Sequence, residues 1–498
     1  MNNSLIDIVF EKTLRYLEEM PKSKRKEIGQ FFTSVETAKY MASMFEDLHK
    51  TELSILDAGA GTGILTAAII DRLQSDAIVK QIKITCYETN GDVLPLLKAN
   101  LAYLKEKSAI PLDYEVKEVN YITSQSDDFN SVLSSADKTT KYDWIIGNPP
   151  YKKIPKEAAE AQSMPSVCYG APNLYFLFAS MGVFNLDCGG EMVYIIPRSW
   201  TSGAYFKGFR DYFLKEGTLK QIHLFVSRDK VFEKESVLQE TIIVKIDKSK
   251  EKNTVKITSS NSNSDFDDIS TIEVPYGNIV FGPENYVYLV TTKEELNVLK
   301  VLGAWKNTLP SIGLKMKTGL TVDFRSLDYL RNEDGEGIVP LFYAQHIKGG
   351  HIVFPIQKEY EYITTEKSGL IQKNKNYLFV KRFTAKEEKR RLQCGIYLSS
   401  EFAEYNYIST HNKINFIEMP GADMSDRLTY GLYVLFNSTL YDQYYRILNG
   451  STQVNSTEIN AMPVPSLNEI ENLGAALMKE HNLSVSTCDK ILEGLING

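Results

Sequence analysis

"LSILDAGAGTGILTAAII", residues Leu53–Ile70, decides the fold. Leu53–Leu56 reads as a short apolar strand that Asp57 closes. Gly59, Gly61 and Gly63 then let the backbone turn tightly and approach a bound molecule closely, and the apolar residues from Ile64 resume as a helix. From about residue 51 the same alternation continues. Strands are predicted at "KITCYETN", "YEVKEVNYI", "YDWIIGNPPY", "GEMVYIIPRSW", "QIHLFV" and "ETIIVKI", with helices starting near Val93 and lying around Leu174. Short apolar runs alternating with helical segments predict one α/β domain, reaching about Lys245, whose parallel sheet is covered by helices.

The glycine turn limits the ligand without naming it. Three glycines at this spacing serve a dinucleotide, a nucleotide-like sulfonium cofactor, or only helix packing. The acidic residue expected about 20 positions on is Glu88, 25 beyond Gly63 and at the end of the second predicted strand. A carboxylate there suits two ribose hydroxyls, which leaves NAD and S-adenosylmethionine in competition.

A second motif separates them. "WIIGNPPYKK", Trp144–Lys153, follows an apolar strand with Gly147, Asn148 and two prolines, neither of which donates to a ladder. Alone it is a turn. About 85 residues after the glycine turn, at the end of the fourth strand, it resembles the Asn-Pro-Pro-Tyr motif of amino-methyltransferases, and specifically of the gamma-class adenine-N6 DNA methyltransferases of restriction-modification systems. In that class the cofactor motif, the Asn-Pro-Pro-Tyr motif and the target-recognition domain follow one another in the order found here.

The resemblance implies a Rossmann-like S-adenosylmethionine-dependent methyltransferase domain with a mixed, mostly parallel seven-stranded sheet, followed by an irregular α+β target-recognition domain. It extends residue by residue. "GQFFTSVETAKYMASMF" is similar to the segment lying over the cofactor's methionine moiety, which implicates Phe32 and Thr33, with Ser34 where a proline is usual. Asp57, Ala58, Gly59 and Gly61 match the cofactor turn and Glu88 the ribose-binding acid. Asn120 falls where an aspartate usually accepts from the cofactor's adenine amino group, a bond an amide oxygen can also accept. "VFEKESVLQETIIVKI" is similar to the motif whose phenylalanine lies against the extruded base, which implicates Phe232; the bland alternative is a core phenylalanine. Leu435–Pro465 resembles the end of recognition domains, and "VKRFTAKEEKRR" resembles a segment of methylases that protect CTGCAG sites.

The chemistry explains these residue types. The adenine amino nitrogen is a poor nucleophile, so a site for it needs positioning and acceptors more than a strong base. The Asn148 side-chain oxygen and the Pro149 carbonyl are expected to take both amino hydrogens, with Pro149 and Pro150 stiffening the turn. A paired adenine must be extruded to be reached, and Tyr151 and Phe232 are expected to replace its lost stacking.

Composition bounds the rest. A chain of 498 residues, 43% hydrophobic and 24% charged, is globular and long enough for two or three domains. The boundaries expected are 1–250 for the N-terminal helix and catalytic domain, 251–285 for a polar, serine-rich linker or exposed hairpin, and 286–498 for recognition. The net charge of −7 opposes nucleic-acid binding only on average. Lys373–Arg391 carries eight basic residues against two acidic ones, interleaved with aromatics in the manner of nucleic-acid surfaces. The DNA-contacting candidates are Lys152, Lys381, Arg382, His411 and Asn412. Five scattered cysteines and six histidines without ligand spacing point to no disulfide framework and no protein-bound metal, and to a reducing cytoplasm. No apolar stretch suits a membrane span, and the N-terminus reads as an amphipathic helix rather than a secretory signal. The expected partners are S-adenosylmethionine and double-stranded DNA, with room for a separate cognate restriction endonuclease. The competing reading is an Asn-Pro-Pro-Tyr enzyme acting on protein glutamine or structured RNA.

Overall fold

The computed structural model describes residues 4–19, 33–131, 140–170, 172–225, 241–262, 266–384, 388–449 and 452–497. The chain divides into two compact units, Met1–Val287 and Tyr288–Gly498.

The first unit is built on one sheet: β1 (Glu52–Ala58), β2 (Gln81–Tyr87), β3 (Leu112–Lys117), β4 (Tyr142–Gly147), β5 (Leu186–Pro197), β6 (Thr218–Phe225), β7 (Thr241–Asp247), β8 (Thr254–Ser260) and β9 (Ser270–Pro275). Their order across the sheet is β3-β2-β1-β4-β5-β7-β6-β8-β9. The strands from β3 to β5 run parallel, and β7 lies antiparallel between β5 and β6. Every residue of β4 is buried, as expected of a parallel strand covered on both faces. The chain winds outward through β1, β2 and β3, then crosses back to β4 on the other side of β1. At such a reversal the carboxyl ends of two strands diverge and leave a crevice. The register sets Asp57 beside Ile146, so the turn after β1 and the turn after β4 emerge side by side.

The helices fix those turns. The run that reads as a helix after the glycines is α3 (Ile64–Leu73). It follows α1 (Leu5–Glu19) and α2 (Val35–Ser43), and precedes α4 (Leu94–Lys107), α5 (Leu174–Asn185) and α6 (Lys207–Glu216). The Asp71 carboxylate on α3 accepts from the Leu5 and Ile6 amides at 3.0 Å each, placing a negative charge against the unsatisfied N–H groups of α1. Thr13 of α1 then donates to the Thr62 hydroxyl at 2.7 Å, inside the glycine turn. Ser34 caps α2 by accepting from the Thr37 amide. Its hydroxyl accounts locally for a serine where a proline is usual.

Two strands more than the seven expected belong to this sheet. The polar segment read as a linker or exposed hairpin supplies them: β8 pairs parallel with β6, and β9 returns antiparallel to β8. Val255 and Ile257 are buried on β8 whereas β9 is mostly exposed. An edge hairpin needs few apolar positions, which is why its composition resembles a linker.

The second unit holds a six-stranded and a five-stranded sheet. Tyr377–Lys381 lies between Cys394–Tyr397 and Ile414–Glu418, and the faces of these strands bury Phe342, Phe379, Tyr397 and Phe402. The helices Asp426–Asn437 and Leu467–Glu480 cross in backbone contact. A Cβ at Gly431 would stand 1.8 Å from the Ile470 carbonyl oxygen, and one at Gly474 1.8 Å from that of Arg427, so only glycine fits either position. Among the described residues no helix is long and apolar enough to cross a membrane.

Candidate active site

The crevice between β1 and β4 contains a cavity of about 280 Å³. One wall is the glycine turn. Gly59, Gly61 and Gly63 have φ of 72°, 55° and 84°, left-handed angles that glycine adopts at no steric cost. The Gly59 and Ala60 amides donate to the Tyr87 carbonyl at 2.8 and 3.0 Å, which ties the turn to the end of β2. The Asn100 side chain donates to the Thr62 carbonyl at 2.8 Å. A Cβ at Gly61 would meet nothing within 4 Å; this position opens on the cavity, and glycine is required there by backbone angle alone.

Glu88 forms the next wall. Its Oε2 accepts from the Gly61 amide at 2.9 Å, and its Oε1 from the Thr89 and Asn90 amides at 2.8 Å each. A carboxylate offers about four lone-pair positions, so three backbone donors leave about one for a ligand hydroxyl. Asp57 and Ala58 are not in the wall: both are buried at the end of β1. Asp57 Oδ2 accepts from Thr66 at 2.7 Å, and Oδ1 has no hydrogen-bond partner among the described residues. Burial pushes the Asp57 carboxyl up to about 7, and the nearby Glu88 charge adds to this.

Asn120, Val119 and Phe178 also line the cavity, and the geometry differs from the expectation for Asn120 as an acceptor. Its Oδ1 accepts from the Ile122 and Thr123 amides at 3.0 and 3.1 Å. Those donors fix the amide orientation and use both lone pairs of the oxygen. Its Nδ2 points the other way and donates to Glu160 Oε1 at 2.9 Å.

Asn148 also lines the cavity. Its Nδ2 donates to the Thr33 hydroxyl at 3.1 Å, and its Oδ1 accepts from the Tyr151 hydroxyl at 2.8 Å. Thr33, Asn148, Pro150 and Lys152 line the cavity, and Pro149 and Tyr151 do not. Tyr151 differs from the expectation of an open stacking face: it is 8% exposed, its hydroxyl also reaches the Ile195 carbonyl at 3.0 Å, and its ring stands edge-on to Tyr175. Burial drives its phenol pKa far above the ordinary value. Beneath the motif Tyr194 packs so closely that a Cβ at Gly147 would lie 2.7 Å from its ring. Phe32 and Phe232 lie outside the described residues.

Among the DNA-contacting candidates of the second unit, the geometry speaks against His411. His411 is 3% exposed and stacked on Tyr343 with ring centroids 4.9 Å apart. Its Nδ1 accepts from the Lys413 amide, and its Nε2 faces Asp323 at 3.2 Å. A ring with both nitrogens engaged presents no edge to a base. Arg382 donates to the Asn412 carbonyl and to Gln453, the Asn412 amide donates to the Thr321 carbonyl, and Lys381 donates to Gln393. Arg391 is fully buried and reaches Thr384 and the Asn449 carbonyl. The aromatics interleaved with these charges, Tyr377 and Phe379, belong to the sheet core; their spacing is strand alternation. Among the described residues the five cysteines are free and no cluster of His, Cys, Asp and Glu could hold a metal ion.

A sheet of this order, with a glycine turn after its first strand and Asn148 at the end of its fourth, defines a Rossmann-like methyltransferase. The family model described as Eco57I restriction-modification methylase matches residues 68–232. Over 482 residues the chain is 35% identical to the type II methyltransferase M.BsuBI of Bacillus subtilis, covering 95% of this chain and 94% of that one. It is 34% identical to the type II methyltransferase M.PstI of Providencia stuartii, covering 95% and 93%. The chain therefore belongs to the type II methyltransferases of restriction-modification systems. Its fold also matches the type IIL restriction-modification enzyme MmeI, solved in complex with DNA, with a TM-score of 0.55, 12% identity, and coverage of 98% of this chain and 73% of that chain.

Proposed function

We propose that this protein is a site-specific DNA adenine-N6 methyltransferase that uses S-adenosylmethionine, acting as the modification enzyme of a type II restriction-modification system in the cytoplasm. The observation that carries the reading is Asn148, held by Thr33 and Tyr151 in the wall of a cavity that the glycine turn and Glu88 also line. The chemistry of those walls fits a nucleoside. Glu88 keeps about one acceptor position for a ribose hydroxyl, Val119 and Phe178 offer apolar surface for a purine, and Gly61 leaves room for close approach.

When bound, S-adenosylmethionine supplies an electrophilic sulfonium methyl. Asn148 supplies orientation. Because its Nδ2 is held by Thr33, its Oδ1 stays turned to one side, and this amide oxygen is the proposed acceptor for an adenine amino hydrogen. The Pro149 carbonyl is the second acceptor of the proposed pair. Two fixed acceptors favour the amino geometry in which the nitrogen lone pair faces the methyl group, and they stabilise the positive charge that develops there. In this reading Tyr151 acts first as the anchor of Asn148, and Phe232 is the proposed base-stacking ring. Lys152, exposed beside the cavity, is the proposed phosphate contact. The second unit is the proposed reader of sequence, and the "VKRFTAKEEKRR" resemblance makes CTGCAG the first site to map.

The test is transfer of labelled methyl groups to double-stranded DNA, RNA and protein in parallel, followed by mapping of modified bases. The expected outcome is label in DNA, at adenine N6, within one short sequence. Label confined to protein or RNA, or methylated cytosine in DNA, refutes the reading.

A further inference from the structure

The geometry points to Glu160 as the residue that recognises the cofactor's adenine ring, with Asn120 as its partner and positioning residue. The inference rests on the proposed adenosyl cofactor and deepens it. Asn120 cannot do what an aspartate does at its position. Its only acceptor atom is committed to the Ile122 and Thr123 amides, and the atom on its other side is a donor. That donor holds Glu160 Oε1 at 2.9 Å. The other carboxylate oxygen, Oε2, has no partner among the described residues, and both side chains line the cavity beside Val119 and Phe178.

Together the pair supplies what neither side chain supplies alone. Asn120 Nδ2 carries a second hydrogen beyond the one given to Glu160, and Glu160 Oε2 is a free acceptor. A donor beside an acceptor complements the adenine edge, where ring N1 accepts and the exocyclic amino group donates. The hypoxanthine edge is reversed, with N1–H as donor and O6 as acceptor, so it sets oxygen against carboxylate and N–H against N–H. The acceptor has thus moved from β3's end to the short helix Ala159–Ser163, and Asn120 holds it in place.

The test is direct binding by calorimetry, with S-adenosylhomocysteine and S-inosylhomocysteine as probes. A hydrogen bond to a charged group changes affinity by about ten- to hundredfold, and the wild type is expected to prefer the adenosyl probe by at least that ratio. Glu160→Ala should lower affinity for the adenosyl probe by the same order and leave the inosyl probe little changed or improved. Glu160→Gln, which keeps an acceptor oxygen, should retain part of the preference. The decisive variant is Asn120→Asp in the Glu160→Ala background. It keeps one oxygen for the Ile122 and Thr123 amides and turns the other into an acceptor facing the cavity, so the preference should return. If Glu160→Ala weakens both probes equally, or if Asn120→Asp restores nothing, the inference is wrong. If the wild type binds neither probe, the adenosyl cofactor itself is refuted, a failure distinct from that of Glu160.

Discussion

Tyr151→Phe separates two roles that the Asn-Pro-Pro-Tyr motif merges. The substitution keeps the ring and removes a hydroxyl that donates to Asn148 Oδ1 at 2.8 Å and reaches the Ile195 carbonyl at 3.0 Å. One proton shared between two acceptors is worth about one net hydrogen bond, roughly 0.5–1.5 kcal/mol. If the hydroxyl serves to orient Asn148, that loss falls on the transition state, and the rate constant for methyl transfer should drop by about two- to thirteenfold. Stability should fall by a similar free energy, a decrease of a few degrees at most in a chain this long. Asn148→Ala removes the acceptor itself and should cost about 10²–10³ in rate, the size seen for a single oxyanion-type partner. Tyr151→Ala should cost more than Tyr151→Phe in both rate and stability, because a ring leaves a buried position. The assay is single-turnover transfer to a duplex oligonucleotide with cofactor saturating, and thermal melting of each variant. A Tyr151→Phe enzyme with unchanged rate would show that the hydroxyl does not orient Asn148 and that the ring alone matters. A Tyr151→Phe defect as large as that of Asn148→Ala would show that the hydroxyl takes part more directly than as an anchor.

Three further outcomes follow from the same geometry. Asp57 has its carboxyl raised from 3.8 to about 7 by burial, so the native state binds the extra proton and stability falls as pH rises from about 4 to 7. At about 1.36 kcal/mol per pH unit this is a loss of roughly 4 kcal/mol at most, and denaturant titrations of cofactor-free Asp57→Asn should show that slope flattened; an unchanged slope refutes the burial argument. Gly61→Ala meets no atom but must hold φ near 55°, so calorimetry should show weaker cofactor binding while melting falls by about 1–2 kcal/mol; wild-type affinity would mean that the turn relaxes freely. His411→Ala removes a buried ring stacked on Tyr343 and should destabilise by about 2–4 kcal/mol without changing which DNA site is modified; a changed site with unaltered melting would return His411 to base reading.

What the sequence made legible was set by burial. The strands β1, β4 and β5 carry apolar runs because strands in mid-sheet are covered on both faces, and glycine is unmistakable where three left-handed angles fall within five residues. The hairpin of β8 and β9 was not legible, since an edge strand with one covered face leaves an alternation too short to outweigh the polar residues around it. The basic, aromatic segment from Lys373 to Arg391 is ambiguous for the opposite reason. Period-two alternation places Tyr377 and Phe379 in the core while Arg382 and Arg391 turn to carbonyl groups within the same unit, and composition cannot tell a cation spent on a carbonyl from one awaiting a phosphate.

The site shows the same division between backbone and side chain. The positions of Gly59, Gly61, Glu88 and Asn148 around the cavity were readable because they follow from backbone angle, strand end and motif, all local in sequence. The partner of Asn120 was not local: Glu160 lies 40 positions away, in an alanine-rich segment without a motif. The signal was the departure itself. An amide in place of a carboxylate keeps the two backbone bonds and loses an acceptor toward the cavity, so the proposed adenine site needs an acceptor from elsewhere. The stretch after Tyr151 offers only Glu157 and Glu160 before the next strand-bound helix at Leu174, and only Glu160 lines the cavity. In the proposed arrangement the direction of the Asn120 amide, fixed by Ile122 and Thr123, says on which side the acceptor is to be found.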